Sequence, residues 1–554
     1  MSQSGRPATP HATPLSSGAG QRQIHTDVLV IGGGPAGAWA AIAAAARGAS
    51  VTLVDKGFCG TSGATAPAGT GVWHVPRDSA AREKAKSSRF QLGGELAEHA
   101  WMDRVLEQTW LNVDTLTEWG YPFPLDSEGR LQRTSLQGPE YMRLMRKKAK
   151  EAGARLLDHS PALSLLVDGN GHVGGASGVS RESGETWVAQ AGAVVLATGG
   201  CAFLSRALGC NVLTGDGYLL GAEAGAELSG MEFSNAYGLG PVFSSVTKSL
   251  FYNWASFYDG QGQLIEGAGS SRGRSVIAKT LQTQPVYACL DRANEQVRGW
   301  MRHAQPNFFV SFDRRGIDPF TQHFPVGLRL EGTVRGTGGL HVVSDDCATT
   351  VPGLYAAGDA ATRELICGAF TGGGSHNAAW ALSSGFWAGA GAAEHSRSVR
   401  ALARRPLRAA GTAGGLHAEG ERDWDPNALV RAVQAEVFPY ERNWSRRADR
   451  LADSLQRLDA WWARVRHAAA PDAAQALRSR EAVAMLATAR WMYRSALQRT
   501  ETRGMGRRQD HTALDPAQRH RLLSGGLDEV WVRPQAVQQP APRSATFAPE
   551  RMAA

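Results

Sequence analysis

Gly32, Gly34 and Gly37, followed by an acid at Asp55, are the residues whose spacing most directly implies chemistry in this chain. They stand in the run Val28-Leu29-Val30-Ile31-Gly32-Gly33-Gly34-Pro35-Ala36-Gly37. Gly32 permits a tight turn, Gly34 lets a pyrophosphate approach the backbone, and Gly37 lets the following helix lie close to the strand. The first turn of that helix, opening on Pro35 and Ala36, offers unpaired amides to phosphate charge. A second apolar run, Val51 to Val54, ends in Asp55, 18 residues beyond Gly37, where an acid can bind adenosine ribose hydroxyls. A bare glycine motif is weak evidence. With a strand before it, a helix after it and an acid at that offset, it reads as a dinucleotide site, and it does not separate FAD from NAD.

The elements that must position this turn belong to a large chain. Its 554 residues can bury several cores, so two to four domains are expected. No apolar stretch is long enough to span a bilayer. The formal charge of +8 is modest for this length, and no aromatics interleave with base-reading residues, which excludes nucleic acid as a partner. Residues 1–23 are rich in Ser, Gly, Pro, Ala and Thr and lack an apolar core, so they read as a disordered leader rather than a secretory signal. Six cysteines are scattered without a C-x-x-C, which points to free thiols, no metal site and a reducing cytoplasm.

Beyond Asp55 and Lys56, the glycine- and hydroxyl-rich loop 57–71, including Ser62, Gly63, Ala64 and Thr65, can wrap a flat ring with backbone amides. Helical stretches are expected at 80–92, 101–119 and 141–152. Leu163 to Val167, Asp168-Gly169-Asn170-Gly171 and Val173 to Ala176 read as a hairpin. A further strand, Ala193 to Leu196, returns through Ala197 to Thr198, Gly199 and Gly200. Leu451, Leu455, Leu458 and Trp462 recur at helical spacing, as do Met485, Ala489, Met492 and Ala496; both are ordinary core faces.

The order of these segments, with Thr214-Gly215-Asp216-Gly217 and Gly225 to Phe233 after them, resembles the flavoprotein subunits of the fumarate reductase and succinate dehydrogenase superfamily. L-aspartate oxidase and the adenylylsulfate reductase flavoprotein belong to the same group. Thr350 to Asp359 is similar to the second FAD signature of that fold, and Arg499-Thr500-Glu501-Thr502-Arg503-Gly504 to its R-x-E-S-R-G stretch. The resemblance chooses FAD. It implies an α/β fold with a Rossmann-like FAD-binding domain in two segments, 24–232 and 334–400. Between them lies an inserted α+β capping domain, 233–333. A helical domain, 420–534, follows, then a tail, 535–554.

The same resemblance implies FAD contacts from Gly358, Asp359, Thr198, Gly199, Asp216, Lys56, Ser375 and Asn377, besides the first glycine turn and the 62–65 loop. Asp359 would bind the ribityl chain. The helix opening near Ser375 would aim its dipole at the flavin. Arg274, in Arg274 to Lys279, corresponds to a cap-domain arginine that moves a proton or stabilises charge. The dicarboxylate clamp does not survive. Tyr237 and Val334 replace two substrate-binding histidines, Arg335 stands beside the second, and Gly368 to Thr371 lacks the family's arginine. Succinate, fumarate and aspartate are therefore not the expected substrates. Tyr237, Arg335 and His376 are the candidate contacts to some other small anion. Ser62-Gly63-Ala64 stands where membrane-bound dehydrogenases carry a flavin-bonding histidine, so FAD is expected to be noncovalent. A ferredoxin-like or other electron-carrier subunit is the expected partner, and the chain is expected to be a soluble oxidoreductase. The competing readings are adenylylsulfate-type chemistry and a flavin electron-transfer subunit without catalysis.

Overall fold

The computed structural model describes residues 21–125, 128–247, 249–269, 273–371, 373–399, 406–415, 418, 420–472, 474–537 and 550–551. Most of the expected leader therefore lies outside the described residues, and its last two residues, Arg22 and Gln23, already belong to the first strand. Of the expected tail, Gln535 and Ala536 end a strand, and residues 538–549 and 552–554 lie outside the description.

The strand Arg22–Ile31 runs parallel to Val51–Val54 on one side and to Thr186–Leu196 on the other, with Val28 opposite both Val51 and Ala193. Thr186–Leu196 is long enough for two partners on its far side. Val173–Val179 pairs antiparallel with its first half, and Leu354–Ala356 pairs parallel with its second. Two segments far apart in sequence thus end side by side: the Ala197 amide donates to the Ile31 carbonyl (2.8 Å), and the Ala357 amide to the Leu196 carbonyl (2.9 Å). Val28, Leu29, Val30, Val194 and Val195 are fully buried, as unbroken apolar runs covered on both faces must be.

The helix Pro35–Ala46 packs closely on the helix Gly373–Ser398. A Cβ on Gly385 would stand 2.4 Å from the Ala36 carbonyl oxygen, and one on Gly389 would stand 2.2 Å from that of Ala40. Glycine at these positions is what lets the first helix, and with it the Gly32 turn, be pinned from behind. The hairpin expected near 163–176 is present as Ala162–Val167 and Val173–Val179, with Asp168 accepting the Asn170 and His172 amides across the turn. Helices at Ser79–Leu92, His99–Glu118 and Gly138–Glu151 match the expected ones within a few residues.

Residues 236–332 hold an antiparallel sheet in the order Ala236–Pro241, Phe324–Gly332, Val286–Cys289, Ser256–Tyr258. A cluster of phenylalanines, Phe251, Phe308, Phe309, Phe312 and Phe324, fills its core, with the Phe308 and Phe312 rings 5.1 Å apart. In the C-terminal region, Leu451, Leu455, Leu458 and Trp462 are the buried face of Ala448–Val465. The helix Ala476–Gln498 is buried on nearly every side, so its Met485 to Ala496 stripe is part of a wider core surface. That region is not helical to its end. His520–Gly525 and Trp531–Ala536 form a hairpin whose first strand also pairs with Leu228–Ser229. The buried pair Leu522 and Leu523 anchors it, and the turn runs through Gly526 at φ +77°. Among the described residues no helix is long and apolar enough to cross a membrane, and no cluster of side chains could hold a metal ion.

Candidate functional site

At the carboxyl ends of the parallel strands, where open α/β sheets bind ligands, lies a cavity of about 880 Å³. The glycine turn forms one end of it. Gly32 has φ +109°, and a side chain there would strike the Ala197 carbonyl oxygen at 2.3 Å. A Cβ on Gly37 would lie 1.8 Å from the Gly32 carbonyl oxygen; this residue packs helix on turn and does not line the cavity. Gly34 differs from both. A Cβ there would meet nothing within 4 Å, because the position faces the open cavity at the start of the helix. That is a cradle a diphosphate can enter.

Asp55 lines the cavity and also ties its walls together. Its carboxylate accepts from the Gly33 amide (2.5 Å), the Gly57 amide (2.7 Å) and the Ser62 hydroxyl (2.9 Å). Lys56, an expected FAD contact, lines the same cavity and is also tied into an ion-pair network. Its Nζ reaches Asp216 (2.6 Å), Glu481 (2.9 Å) and the Thr214 hydroxyl (2.8 Å). Burial pulls its pKa down, but the two carboxylates outweigh that and hold it above the ordinary lysine value. Glu481 comes from the C-terminal helix Ala476–Gln498, whose Leu477, Arg480 and Ala484 close this side of the cavity. Arg480 is itself paired with Glu223 at 2.6 Å. None of these closing residues carries a sequence signal, since each is an ordinary member of a long helix.

Pro35, Ala36, Ser62, Gly63, Ala64, Thr65, Thr198, Gly199, Gly358, Asp359, Ser375 and Asn377 line the same cavity. Gly358 takes φ +62°, and Asp359 is held by an ion pair with the buried Arg363. Asn377 donates from Nδ2 to the Val334 carbonyl (2.9 Å), which leaves its Oδ1 buried without a partner. An N–H on a bound heterocycle would satisfy that acceptor. The open cradle at Gly34 and this orphaned oxygen in the same cavity together fit a flavin dinucleotide.

Arg274 and Arg335 line the cavity beneath the antiparallel sheet. Arg274 opens the helix Arg274–Thr280 and donates from Nη1 to the Tyr237 carbonyl (3.2 Å). Its Nε is buried with no partner. Arg335 donates to Glu331 (3.2 Å), a fully buried carboxylate that also accepts from the Thr247 hydroxyl (2.7 Å). Burial, and after it the neighbouring positive charge of Arg335, push the Arg274 guanidinium down to about 10. Glu331 was missed in the sequence although it precedes Arg335 by four residues, because that spacing implies contact only on a helix.

Two expected substrate contacts are corrected. The Tyr237 phenol faces away from the cavity and donates to the Val437 carbonyl (3.2 Å), packed against Tyr440 and Trp444; only its backbone oxygen serves the site, by holding Arg274. His376 does not line the cavity either. Its ring lies 4.5 Å from that of Trp73, and its Nδ1 is 3.2 Å from the Ser375 hydroxyl. Tyr237 is expected at the site because it stands in place of a clamp histidine, and His376 because it sits in the segment that opens the helix Gly373–Ser398; aromatic packing takes both side chains instead.

Known proteins resemble the chain along its length. The FAD binding domain family matches residues 27–237, and the fumarate reductase flavoprotein C-terminal family matches residues 438–544. L-aspartate oxidase of Streptomyces coelicolor is 26% identical over 89% of this chain and 90% of its own. The fumarate reductase flavoprotein of Mycobacterium tuberculosis is 26% identical over 77% of this chain and 77% of its own. Among solved structures, a mutant FrdA of E. coli quinol fumarate reductase superposes with a TM-score of 0.78 at 18% identity, covering 96% of this chain and all of that one. Adenylylsulfate reductase from Archaeoglobus fulgidus gives 0.74 at 21% identity, covering 94% and 98%.

Proposed function

The chain belongs to the fumarate reductase and succinate dehydrogenase flavoprotein superfamily and is a FAD-dependent oxidoreductase, and from that premise we propose that it exchanges two electrons with a small anionic substrate held by Arg274 and Arg335. Bound FAD would supply the redox chemistry, and the chain's own residues hold, orient and desolvate what reacts there. The observation that carries the reading is a charge imbalance. Two guanidiniums face this end of the cavity, and one carboxylate, Glu331, is bonded to Arg335. Arg274 is therefore the cation with an unspent, buried N–H. A charge-assisted hydrogen bond from that group to an anion repairs an otherwise costly vacancy. Its lowered pKa also brings it nearer to exchanging a proton with a substrate carbon or oxygen than an ordinary guanidinium.

The departures from the dicarboxylate clamp at Tyr237, Val334 and Thr371 support a substrate other than succinate, fumarate or aspartate. Noncovalent FAD is supported by the cavity wall, whose described residues include no histidine and no cysteine. Six buried cysteines, none in a disulfide, support a reducing, cytoplasmic setting, and a separate carrier would supply or remove the electrons. The test is Arg274→Gln. Purified protein should keep its FAD but lose the flavin absorbance response to a panel of dicarboxylates, sulfonates, sulfite with AMP, and unsaturated acids. A variant that responds like the parent to every member that the parent recognises would remove Arg274 from the site.

A further inference from the structure

The cavity does not stop at the two arginines. From Arg335 a bonded wall runs through Glu331 to Thr247, and the chain continues from Thr247 past Ser249 to Leu250 and Phe251, all three on the cavity surface. The Phe251 ring then meets the indole of Trp300, with centroids 5.8 Å apart. Trp300 lines the cavity from the helix Glu295–Ala304. It is 46% exposed and Leu250 is 69% exposed, while Phe308, Phe309 and Phe312, in the same domain, are at most 2% exposed. A domain that buries these three rings so thoroughly has left an indole and a leucine open on the wall of the ligand cavity that Arg274 also lines.

We infer that the substrate is an aryl monocarboxylate-type anion, with one carboxylate at Arg274 and Arg335 and a ring-sized apolar body reaching Phe251, Leu250 and Trp300. The inference rests on the anion site proposed above and adds the second half of the ligand. One negative charge, rather than two, matches a pair of cations of which one already has an acid. Among the described residues the apolar wall supplies no cation for a second carboxylate, and burying an unpaired carboxylate against it would be costly. A flat ring, by contrast, gains contact area and edge or face packing with the Trp300 indole.

The experiment uses FAD-loaded protein and reads binding from perturbation of the flavin absorbance spectrum. The ligands are 3-phenylacrylate, crotonate, fumarate and 3-phenylacrylamide. Ring packing of this kind makes 3-phenylacrylate bind about tenfold more tightly than crotonate. It should also outbind fumarate and the uncharged amide. Trp300→Ala, at a half-exposed position where folding is not at stake, should bring the ratio of the crotonate and 3-phenylacrylate dissociation constants towards one. Equal binding of crotonate and 3-phenylacrylate by the parent, tighter binding of fumarate, or an unaltered ratio in Trp300→Ala would overturn the aryl assignment and leave the anion site standing. Protein that retains FAD but responds to none of the three anions would overturn the anion site, and the aryl assignment with it.

Discussion

Gly34→Ala separates the dinucleotide function of the glycine turn from its folding. In the native backbone Gly34 has φ −72° and ψ −174°, which any residue can adopt, and a methyl group there touches nothing within 4 Å. The apo protein should therefore be unharmed, and even gain about 0.4–1 kcal/mol because alanine has less freedom to lose on folding. The bound form should suffer. A methyl at this point occupies the space through which a phosphate must approach the helix amides, and losing one charge-assisted hydrogen bond costs about 1.5–3 kcal/mol, roughly 10- to 150-fold in affinity. Where FAD at 100 times its Kd stabilises the parent by about 2.7 kcal/mol, a variant binding 100-fold more weakly would retain about 0.4 kcal/mol at the same FAD concentration. Flavin fluorescence quenching gives the affinity, and calorimetric melting with and without FAD gives the stability. Gly37→Ala is the control of opposite sign. Its Cβ would lie 1.8 Å from the Gly32 carbonyl oxygen, so it should destabilise the apo protein itself, by about 1–3 kcal/mol or more. If Gly34→Ala bound FAD as tightly as the parent, the diphosphate would not pass over Gly34, and the cradle would have been assigned to the wrong place.

Acid precipitation of purified protein should release all of its yellow colour into the supernatant; flavin retained in the pellet would contradict noncovalent attachment. Lys56→Met should lower stability by on the order of 3 kcal/mol in urea, because it leaves the part-buried Asp216 without its cation and Glu481 with Arg478 alone. Adding Glu481→Gln to it should recover part of the loss, and purely additive effects would show that the ion pair is not coupled. Glu364 is fully buried, takes a hydrogen bond from the Ser229 hydroxyl, and has its Oε1 unpartnered. Burial and then the nearby Glu232 raise its pKa to about 7. The folded state thus holds this proton more tightly than the unfolded chain. Its contribution is complete below about pH 4.5 and is lost as pH rises through about 7, with a slope of at most about 1.4 kcal/mol per pH unit. Glu364→Gln should flatten that slope in denaturant titrations at pH 5 to 8, and an unaltered slope would place the proton elsewhere.

The parts of this protein that hold a dinucleotide are legible in its sequence because they act through the backbone. Only glycine tolerates the φ of Gly32 or the contact at Gly37, so the residue type carries the geometry. The strands 28–31, 51–54 and 193–196 are equally plain, as runs buried on both faces. The substrate end is assembled from three separate segments, at Tyr237, Arg274 and the stretch from Glu331 to Arg335, and no spacing rule connects them. Resemblance located Arg274 but assigned the Tyr237 side chain a role that belongs to its carbonyl. The C-terminal hairpin was hidden for a related reason: its first strand is completed by Leu228–Ser229, almost three hundred residues earlier.

The electrostatics of the substrate end also imply how the protein behaves before substrate arrives. Burial, and after it the positive charge of Arg335, lower the pKa of Arg274, so the two guanidiniums repel, and Glu331 offsets that repulsion only in part. They are held in place by backbone and buried partners, the Tyr237 carbonyl on one side and Glu331 on the other, rather than by solvent. A site so constrained has met much of the cost of orienting its cations during folding, and the anion we propose would collect the gain. The same arrangement favours one negative charge over two but does not distinguish one monoanion from another. Discrimination must come from the wall beyond the cations, which is where Phe251 and Trp300 stand.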